Sequence, residues 1–129
     1  MKYLLDANVH IAVSSDTHPD HEKALTWIRK GGDFLICPIA QGALVRYFLQ
    51  VGHPIETARN YLLQLNSFEG CTTITDDLTY DNANLEGITG HKQVTDVYLA
   101  ELAKHQEALL ATLDQKIALL RPDLVFLVS

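Results

Sequence analysis

The sequence predicts an α/β fold, a three-layer sandwich in which helices flank a mainly parallel central sheet. Short apolar segments typical of buried strands alternate along the chain with amphipathic segments typical of helices. Strands that are buried on both faces of a parallel sheet are continuously apolar, as Phe34 to Cys37 is. Because 129 residues is the usual size of one domain, we expect a single domain over residues 1–129.

The N-terminal part of the chain predicts a strand, a loop and two helices before a second strand. Lys2 to Leu5 is a short apolar run that ends in a polar turn, and residues 10–13 suggest a brief helix. Between Thr17 and Gly32, an early proline, acidic residues in the first turn and a closing pair of glycines delimit a second helix. The apolar run that Pro38 ends is then the second strand.

The middle of the chain predicts two more helices and a third strand. Residues 39–51 form one helical pattern closed by a glycine, and Pro54 opens the next, which carries an apolar stripe at helical spacing. Residues 71–75 are rich in β-branched side chains and predict a strand. We expect Asp76 and Asp77 to cap the polar, weakly helical segment that follows.

The C-terminal part predicts a helix in which an aspartate occupies the first turn. Thr95 is a suitable N-cap, which places Asp96 just inside that helix. The chain then ends in a strand, a short helix and a last strand, predicted over residues 108–113, 115–120 and 124–128.

Composition excludes some classes of protein. The formal net charge is −6, which disfavours a module that binds nucleic acid through a broad basic face, although a nuclease with a metal-neutralised acidic cluster remains compatible. A glycine-rich phosphate loop and a G-x-S-x-G motif are both missing, which argues against nucleotide-binding ATPases and serine hydrolases.

The location of the protein is also an expectation from sequence. The apolar start is too short for a signal peptide, and no run is long enough for a membrane span, so we expect a cytoplasmic protein without membrane contact. Cys37 and Cys71 lie in apolar runs, and we expect both to be reduced core residues.

Three aspartates lie at the ends of predicted strands or at the start of a predicted helix, where the fold can bring them close together. Asp6 and Asp114 each follow a strand-like run, and Asp96 begins a helix. A single aspartate after a strand is more often a turn former or a cap, but the carboxyl ends of parallel strands share one edge of a sheet. Clustered carboxylates raise one another's pKa unless a cation compensates, and Mg²⁺ or Mn²⁺ suits oxygen ligands. These residues suggest metal-dependent phosphodiester chemistry.

Four segments carry a resemblance to a known family. They are MKYLLDANV at residues 1–9, CPIAQGALVR at 37–46, GHKQVTDVYLA at 90–100 and LATLD at 110–114. In this order they resemble the motifs of PIN-domain ribonucleases, and more closely those of the VapC-like toxins of bacterial toxin–antitoxin modules. The resemblance implies a PIN-like domain and a Mg²⁺- or Mn²⁺-dependent endoribonuclease. It further implies a homodimer that acts on RNA and is held inactive by a cognate antitoxin.

Carried over position by position, the resemblance makes Asp6, Asp96 and Asp114 the catalytic, metal-binding acids. Asn8 and Thr112 are then nearby polar support.

One position departs from the family pattern. Many relatives have a glutamate where this chain has Gln41. Glutamine keeps an oxygen ligand but loses a charge, so we expect weaker metal binding and favour one ion in the free protein.

Arg46, His91 and Lys92 are candidates for contact with the RNA backbone. A structural ion pair is an equal alternative for Arg46, and solvated loop charge is the better alternative for the other two. His18 and His21 have a spacing that can bind a transition metal, but polar residues collect naturally at a helix start.

Two other functions compete with a ribonuclease. An aspartyl-phosphate phosphatase also uses an aspartate after its first strand, but it needs a second aspartate where this chain has Asn8. A catalytically weak or inactive PIN-like module that binds RNA or protein is favoured by Gln41 and by the acidic net charge. The helices between Ala43 and Leu65 suggest a self-association face or a groove for an antitoxin segment, and a buried core face has the same pattern in sequence.

Overall fold

Five strands form one sheet in which every neighbouring pair is parallel. The computed structural model describes residues 1–129. The strands are β1 (Lys2–Leu5), β2 (Asp33–Ile36), β3 (Cys71–Thr73), β4 (Leu109–Thr112) and β5 (Val125–Leu127). Their order across the sheet is β3-β2-β1-β4-β5, so β1 is the central strand.

Six α-helices connect the strands. They are α1 (Ala7–Ser14), α2 (His21–Arg29), α3 (Pro38–Gln50), α4 (Ile55–Ser67), α5 (Val94–His105) and α6 (Gln115–Leu120). Two short 3₁₀ turns, Tyr80–Asn82 and His91–Gln93, lie in the long connection between β3 and α5. The predicted α/β sandwich around a mainly parallel sheet is confirmed. The predicted strands and helices are present, with α1 longer than expected, except that the weakly helical segment after Asp77 contains only a 3₁₀ turn.

Alternate residues of the central strands point to opposite faces of the sheet, and this divides the core. Leu4 and Leu110 belong to the cluster that contains most of α5, whereas Leu5 and Ala111 pack with the side of the sheet that α1 and α2 cover. Residues of α5 from Val97 to Ala103 are all buried, so this helix is fixed against the sheet along its length.

An aromatic cluster reinforces the face opposite α5. The Trp27 ring stacks on Phe126 at a centroid distance of 5.4 Å and meets Tyr3 edge-on at 5.1 Å. Such aromatic pairs contribute about 0.5–1.5 kcal/mol beyond their burial. The packing fixes β1 between β2 and β4, and thereby fixes the ends of the strands from which the acidic residues emerge.

Two of the local predictions are wrong. The helix predicted from Thr95 begins one residue earlier, at Val94, so Thr95 lies inside α5, although Asp96 does occupy its first turn. Asp76 and Asp77 do not cap a helix, because the chain stays irregular until the 3₁₀ turn that begins after Thr79. Polar residues after an edge strand look like caps in sequence even where the following segment lacks a helical stripe.

Both cysteines are free thiols, with Cys37 buried and Cys71 half-buried. None of the helices combines the length and the apolar character that crossing a bilayer requires.

Candidate active site

The three predicted acids lie at the same edge of the sheet. Asp6 directly follows β1, Asp114 follows β4 by two residues, and Asp96 lies in the first turn of α5. β1 and β4 are paired neighbours, and the Asp6 amide donates a hydrogen bond to the Ala111 carbonyl at 3.0 Å. The adjacency of these two strands therefore joins residues that are more than a hundred positions apart in the chain.

A fully buried hydroxyl links the residues at the ends of β1 and β4. Thr112 Oγ1 donates to Asp6 Oδ2 at 2.8 Å and accepts from Asn8 Nδ2 at 3.0 Å and from the Asp114 amide at 3.1 Å. Asn8 Oδ1 in turn accepts from the Leu113 amide at 3.2 Å. Since Asn8 uses both ends of its amide in this network, it orients Thr112 and Leu113 at the end of β4.

The pKa values of Asp6 and Asp96 are raised, as expected for clustered carboxylates. Burial raises the pKa of Asp6, the Thr112 hydrogen bond opposes that rise, and the charge of Asp114 adds to it. Burial, together with the charges of Asp6 and Asp114, raises the pKa of Asp96 to about 6. The three carboxylates therefore repel one another, and a bound cation would reduce this repulsion.

The acids do not form a finished coordination shell. No group of three or more histidine, cysteine, aspartate or glutamate side chains lies close enough together to hold a metal ion. The donor chemistry does fit a hard divalent ion, because carboxylate oxygens are its preferred ligands and the shared negative charge favours its entry. A common ion thus requires the carboxylates to turn toward one point.

A cavity of about 500 Å³ opens beside two of these acids. Its lining is mostly polar and consists of Thr89, Gly90, His91, Lys92, Gln93, Asp96, Asp114, Lys116, Ile117 and Leu120. The basic residues His91, Lys92 and Lys116 thus line the same cavity as two carboxylates. A site with carboxylates next to cations can hold a metal ion and a phosphate side by side.

Lys116 is a residue that the sequence analysis missed. It lies in the first turn of α6, where its amide donates to Asp114 Oδ1 at 2.9 Å, so Asp114 also caps this helix. The spacing of two residues between Asp114 and a lysine was the available signal, because a capping acid holds the next turn close.

Gln41 and Arg46 are not part of this cavity. Both lie on α3, where Gln41 is half-buried and Arg46 is exposed. The structural ion pair considered for Arg46 does not form. The loop residues His91 and Lys92, for which solvated charge was the better sequence interpretation, do line the cavity.

Asp76 is a fourth acid near this edge. Its Oδ1 is buried without a partner, and its charge helps raise the pKa of the buried Cys37 thiol, whose pKa Asp6 also raises. The rule that identified Asp6, an acid after a strand, applies equally to Asp76 after β3.

The two N-terminal histidines do not form a metal site. His18 Nδ1 accepts from the Asp20 amide at 3.0 Å, whereas His21 Nδ1 lies 2.8 Å from the Ala12 carbonyl. Each ring is therefore engaged with a different partner.

Comparisons with known proteins agree with one another. The PIN domain family matches residues 3–121. The chain is 36% identical to the protein named Ribonuclease VapC29 of Mycobacterium tuberculosis, over 99% of this chain and 97% of that protein. It is also 36% identical to Ribonuclease VapC44 of the same organism, over 92% of this chain and 90% of that protein.

A solved structure shares the fold. The crystal structure titled VapBC2 from Rickettsia felis, bound to a DNA fragment from their promoter, contains a chain that matches with a TM-score of 0.66 at 20% identity. The match covers 98% of this chain and 97% of that one.

Proposed function

The chain belongs to the PIN-domain family and, within it, to the VapC ribonucleases, and on that premise we propose that it is a metal-dependent endoribonuclease and the toxin of a toxin–antitoxin pair. The observation that carries the proposal is the electrostatic cluster of Asp6, Asp96 and Asp114 at one edge of a parallel sheet. Relatives named as ribonucleases over nearly their whole length support the same chemistry.

Each acid has a distinct place in the proposed reaction. Asp6 is the most rigid, because it is buried and held by Thr112, and Asp96 and Asp114 line the cavity. Together they would hold Mg²⁺ or Mn²⁺, which when bound polarises a phosphodiester oxygen and lowers the pKa of a coordinated water. Gln41 adds no charge, so we favour one ion.

The basic side chains of the cavity provide local attraction for RNA in an acidic protein. Lys92, Lys116 and His91 border the same space as Asp96 and Asp114. A phosphate bound by the lysines would lie beside the acids, which places the scissile group near the metal position. The net charge of −6 then disfavours binding elsewhere on the surface.

The test is cleavage of a mixture of tRNA and messenger RNA with Mg²⁺, Mn²⁺ or EDTA. We expect metal-dependent cleavage that falls at least about a hundredfold in Asp96→Asn, with Asp16→Asn, an exposed aspartate outside the cavity, as the matched control. Titration calorimetry with Mn²⁺ should show one site in the wild type and weakened binding in Asp96→Asn. Equal cleavage by the Asp96 variant would rule out this site.

A catalytically weak or inactive PIN-like module remains the second candidate. The neutral Gln41 and the absence of a preassembled group of metal ligands favour it. If calorimetry finds no Mn²⁺ binding while RNA still binds, the module is the correct assignment. If Mn²⁺ binds and cleavage follows, it is not.

Partners form the last part of the proposal. We expect a cognate antitoxin, in line with a structural neighbour titled as a VapBC complex, and a cytoplasmic homodimer. Exposed apolar side chains concentrate on and around α3 and α4, namely Leu49, Val51, Ile55, Leu63 and Phe68. Such a concentration supports an interface. Light scattering of the purified protein measures the mass that decides between monomer and dimer.

A further inference from the structure

The segment that forms one wall of the cavity has almost no regular structure of its own. Between Asn84 and Gln93 the chain contains only a single 3₁₀ turn, and most of its residues are exposed. Gln93 Oε1 organises the end nearest the acids by accepting from the Thr89 amide at 2.7 Å and the Gly90 amide at 3.2 Å. This turn is internally closed, so its position relative to the acids depends on what fixes the rest of the segment.

A single arginine holds the other end of the segment. Arg121 Nη2 donates to the backbone carbonyls of Asn84 at 3.1 Å and Glu86 at 2.5 Å. Only Gly87 and Ile88 separate Glu86, the nearer of these two residues, from Thr89, the first cavity residue of the segment. Arg121 therefore ties the segment within three residues of the cavity wall.

The arginine is itself held by a buried acid. Arg121 Nε donates to Glu101 Oε2 at 3.3 Å, and the side chains are only 12% and 7% exposed. Glu101 lies on α5, one and a half turns beyond Asp96, and Arg121 directly follows α6. Because α5 carries Asp96 and α6 begins at Asp114, the pair joins the segment to the two helices that present the acids.

The geometry around Gly87 restricts the segment further. Gly87 has a φ of +89°, and a Cβ built there would lie 3.2 Å from Leu120 Cδ1 and 3.5 Å from Arg121 Nη1. The segment thus passes close over the end of α6, in a conformation that L side chains rarely adopt.

From these contacts we propose that Arg121 and Glu101 are positioning residues for substrate: they hold the 84–93 segment so that its basic residues His91 and Lys92 line the cavity beside the acids, where they bind the RNA backbone. This inference rests on the proposed ribonuclease function. Neither residue lines the cavity, so their effect reaches RNA only through His91 and Lys92. Loosening the wall weakens binding of the phosphate while the acids keep their own arrangement.

The experiment compares four variants of the full-length protein with Mn²⁺. Arg121→Met removes the tether but leaves Glu101 buried without its partner, which also threatens folding. The double variant Glu101→Leu with Arg121→Met removes both charges, so the fold recovers while the Asn84 and Glu86 carbonyls stay released. Arg121→Lys keeps the charge but loses the planar group that joins Glu101 through Nε to the two carbonyls through Nη2. Arg59→Met, at an exposed position without an ion pair, is the matched control.

We expect KM for RNA to rise about tenfold in Arg121→Met and in the double variant, with kcat within about twofold of the wild type. Arg121→Lys should be intermediate, and Arg59→Met unchanged. Hydrogen exchange of amides 84–93 should accelerate about tenfold in both tether-free proteins, while amides of β1 and β4 keep their protection.

Three outcomes overturn the inference. If KM recovers in the double variant together with the melting temperature, the single variant merely damaged the fold. If the 84–93 amides exchange as in the wild type, Arg121 does not hold the segment. If exchange accelerates but KM stays unchanged, the segment does not position substrate. A wild type that cleaves no RNA contradicts the proposed function itself, which separates that failure from these.

Discussion

The acidic edge and the cavity around His10 show burial acting on opposite kinds of charge. His10 lies on α1 and borders a second, largely apolar cavity of about 930 Å³. Its Nε2 has no partner, and burial alone lowers its pKa to about 4. At the acidic edge, burial and the charges of two neighbouring carboxylates together raise the pKa of Asp96 to about 6. Only at the acidic edge do the charges of neighbouring groups add to the effect of burial on the pKa, which is the pattern expected at a cation-binding site.

The two regions therefore respond to acid in opposite directions. His10 has a folded pKa below its unfolded value of 6.5, so its contribution to stability is complete above pH 6.5 and is lost as the pH falls toward 4. Asp96 has a folded pKa above its unfolded value of 3.8, so its contribution is complete below pH 3.8 and is lost as the pH rises through 6. Variants at the two sites can separate these contributions.

The largest predicted effect on stability belongs to His10. In the wild type, lowering the pH from 6.5 to 4 should remove about 3 kcal/mol of stability through this residue. His10→Leu should remove that pH dependence and change stability little at pH 7, because an apolar group replaces a nitrogen without a partner. Urea denaturation at several pH values measures both. His53→Gln, at an exposed position, is the control, and an undiminished loss in His10→Leu would contradict the prediction.

A smaller effect is expected at Thr112, where the acidic edge depends on a polar network that the His10 cavity lacks. Thr112→Val keeps the shape but removes the hydroxyl that serves Asp6, Asn8 and the Asp114 amide. We expect a loss of about 2 kcal/mol in stability and a fall of about tenfold in cleavage, because the pKa of Asp6 rises when its hydrogen bond is lost.

Thr26→Val, on the exposed surface of α2, is the matched control for the Thr112 variant. Urea denaturation gives the stability, and initial cleavage rates with Mn²⁺ give the activity. A Thr112→Val protein with wild-type stability and activity would mean that the network does not hold Asp6 in place.

The sequence predicted the parts of the molecule that depend on local pattern. Continuous apolar runs identified the strands, and the rule that the carboxyl ends of parallel strands share one edge of the sheet predicted that Asp6 and Asp114 lie together. What it could not predict depends on side chains that meet across long distances. Glu101 looks like a solvated position on a helix, yet it is 7% exposed because Arg121, twenty residues later, folds over it.

The roles of Asp76 and Lys116 were not predicted, for a related reason. The value of an acid after a strand depends on whether that strand is central or at the edge, and β3 is an edge strand. The sequence around Asp76 does not show where β3 lies in the sheet. Asp76 was interpreted as a cap, although it follows a strand just as Asp6 does. Lys116 was missed because its spacing from Asp114 indicates only that these two residues are close, and not that the loop before α5 completes a cavity with them.

The smallest effect has the opposite sign and tests the acidic edge most directly. In EDTA at pH 7, Asp96→Asn should increase stability by about 1 kcal/mol, after allowance for the water that reaches this half-exposed side chain. The gain should fade as the pH is lowered toward 4, where the Asp96 carboxyl is protonated in the folded wild type. Urea denaturation at pH 7 and pH 4 measures it, and Asp16→Asn should show no such change.

If Asp96→Asn is less stable than the wild type at pH 7 without metal, the carboxylates do not repel one another, and the edge is an ordinary polar surface. A gain in stability together with a loss of cleavage would instead mean that the fold keeps these charges together at a cost that only a bound cation offsets.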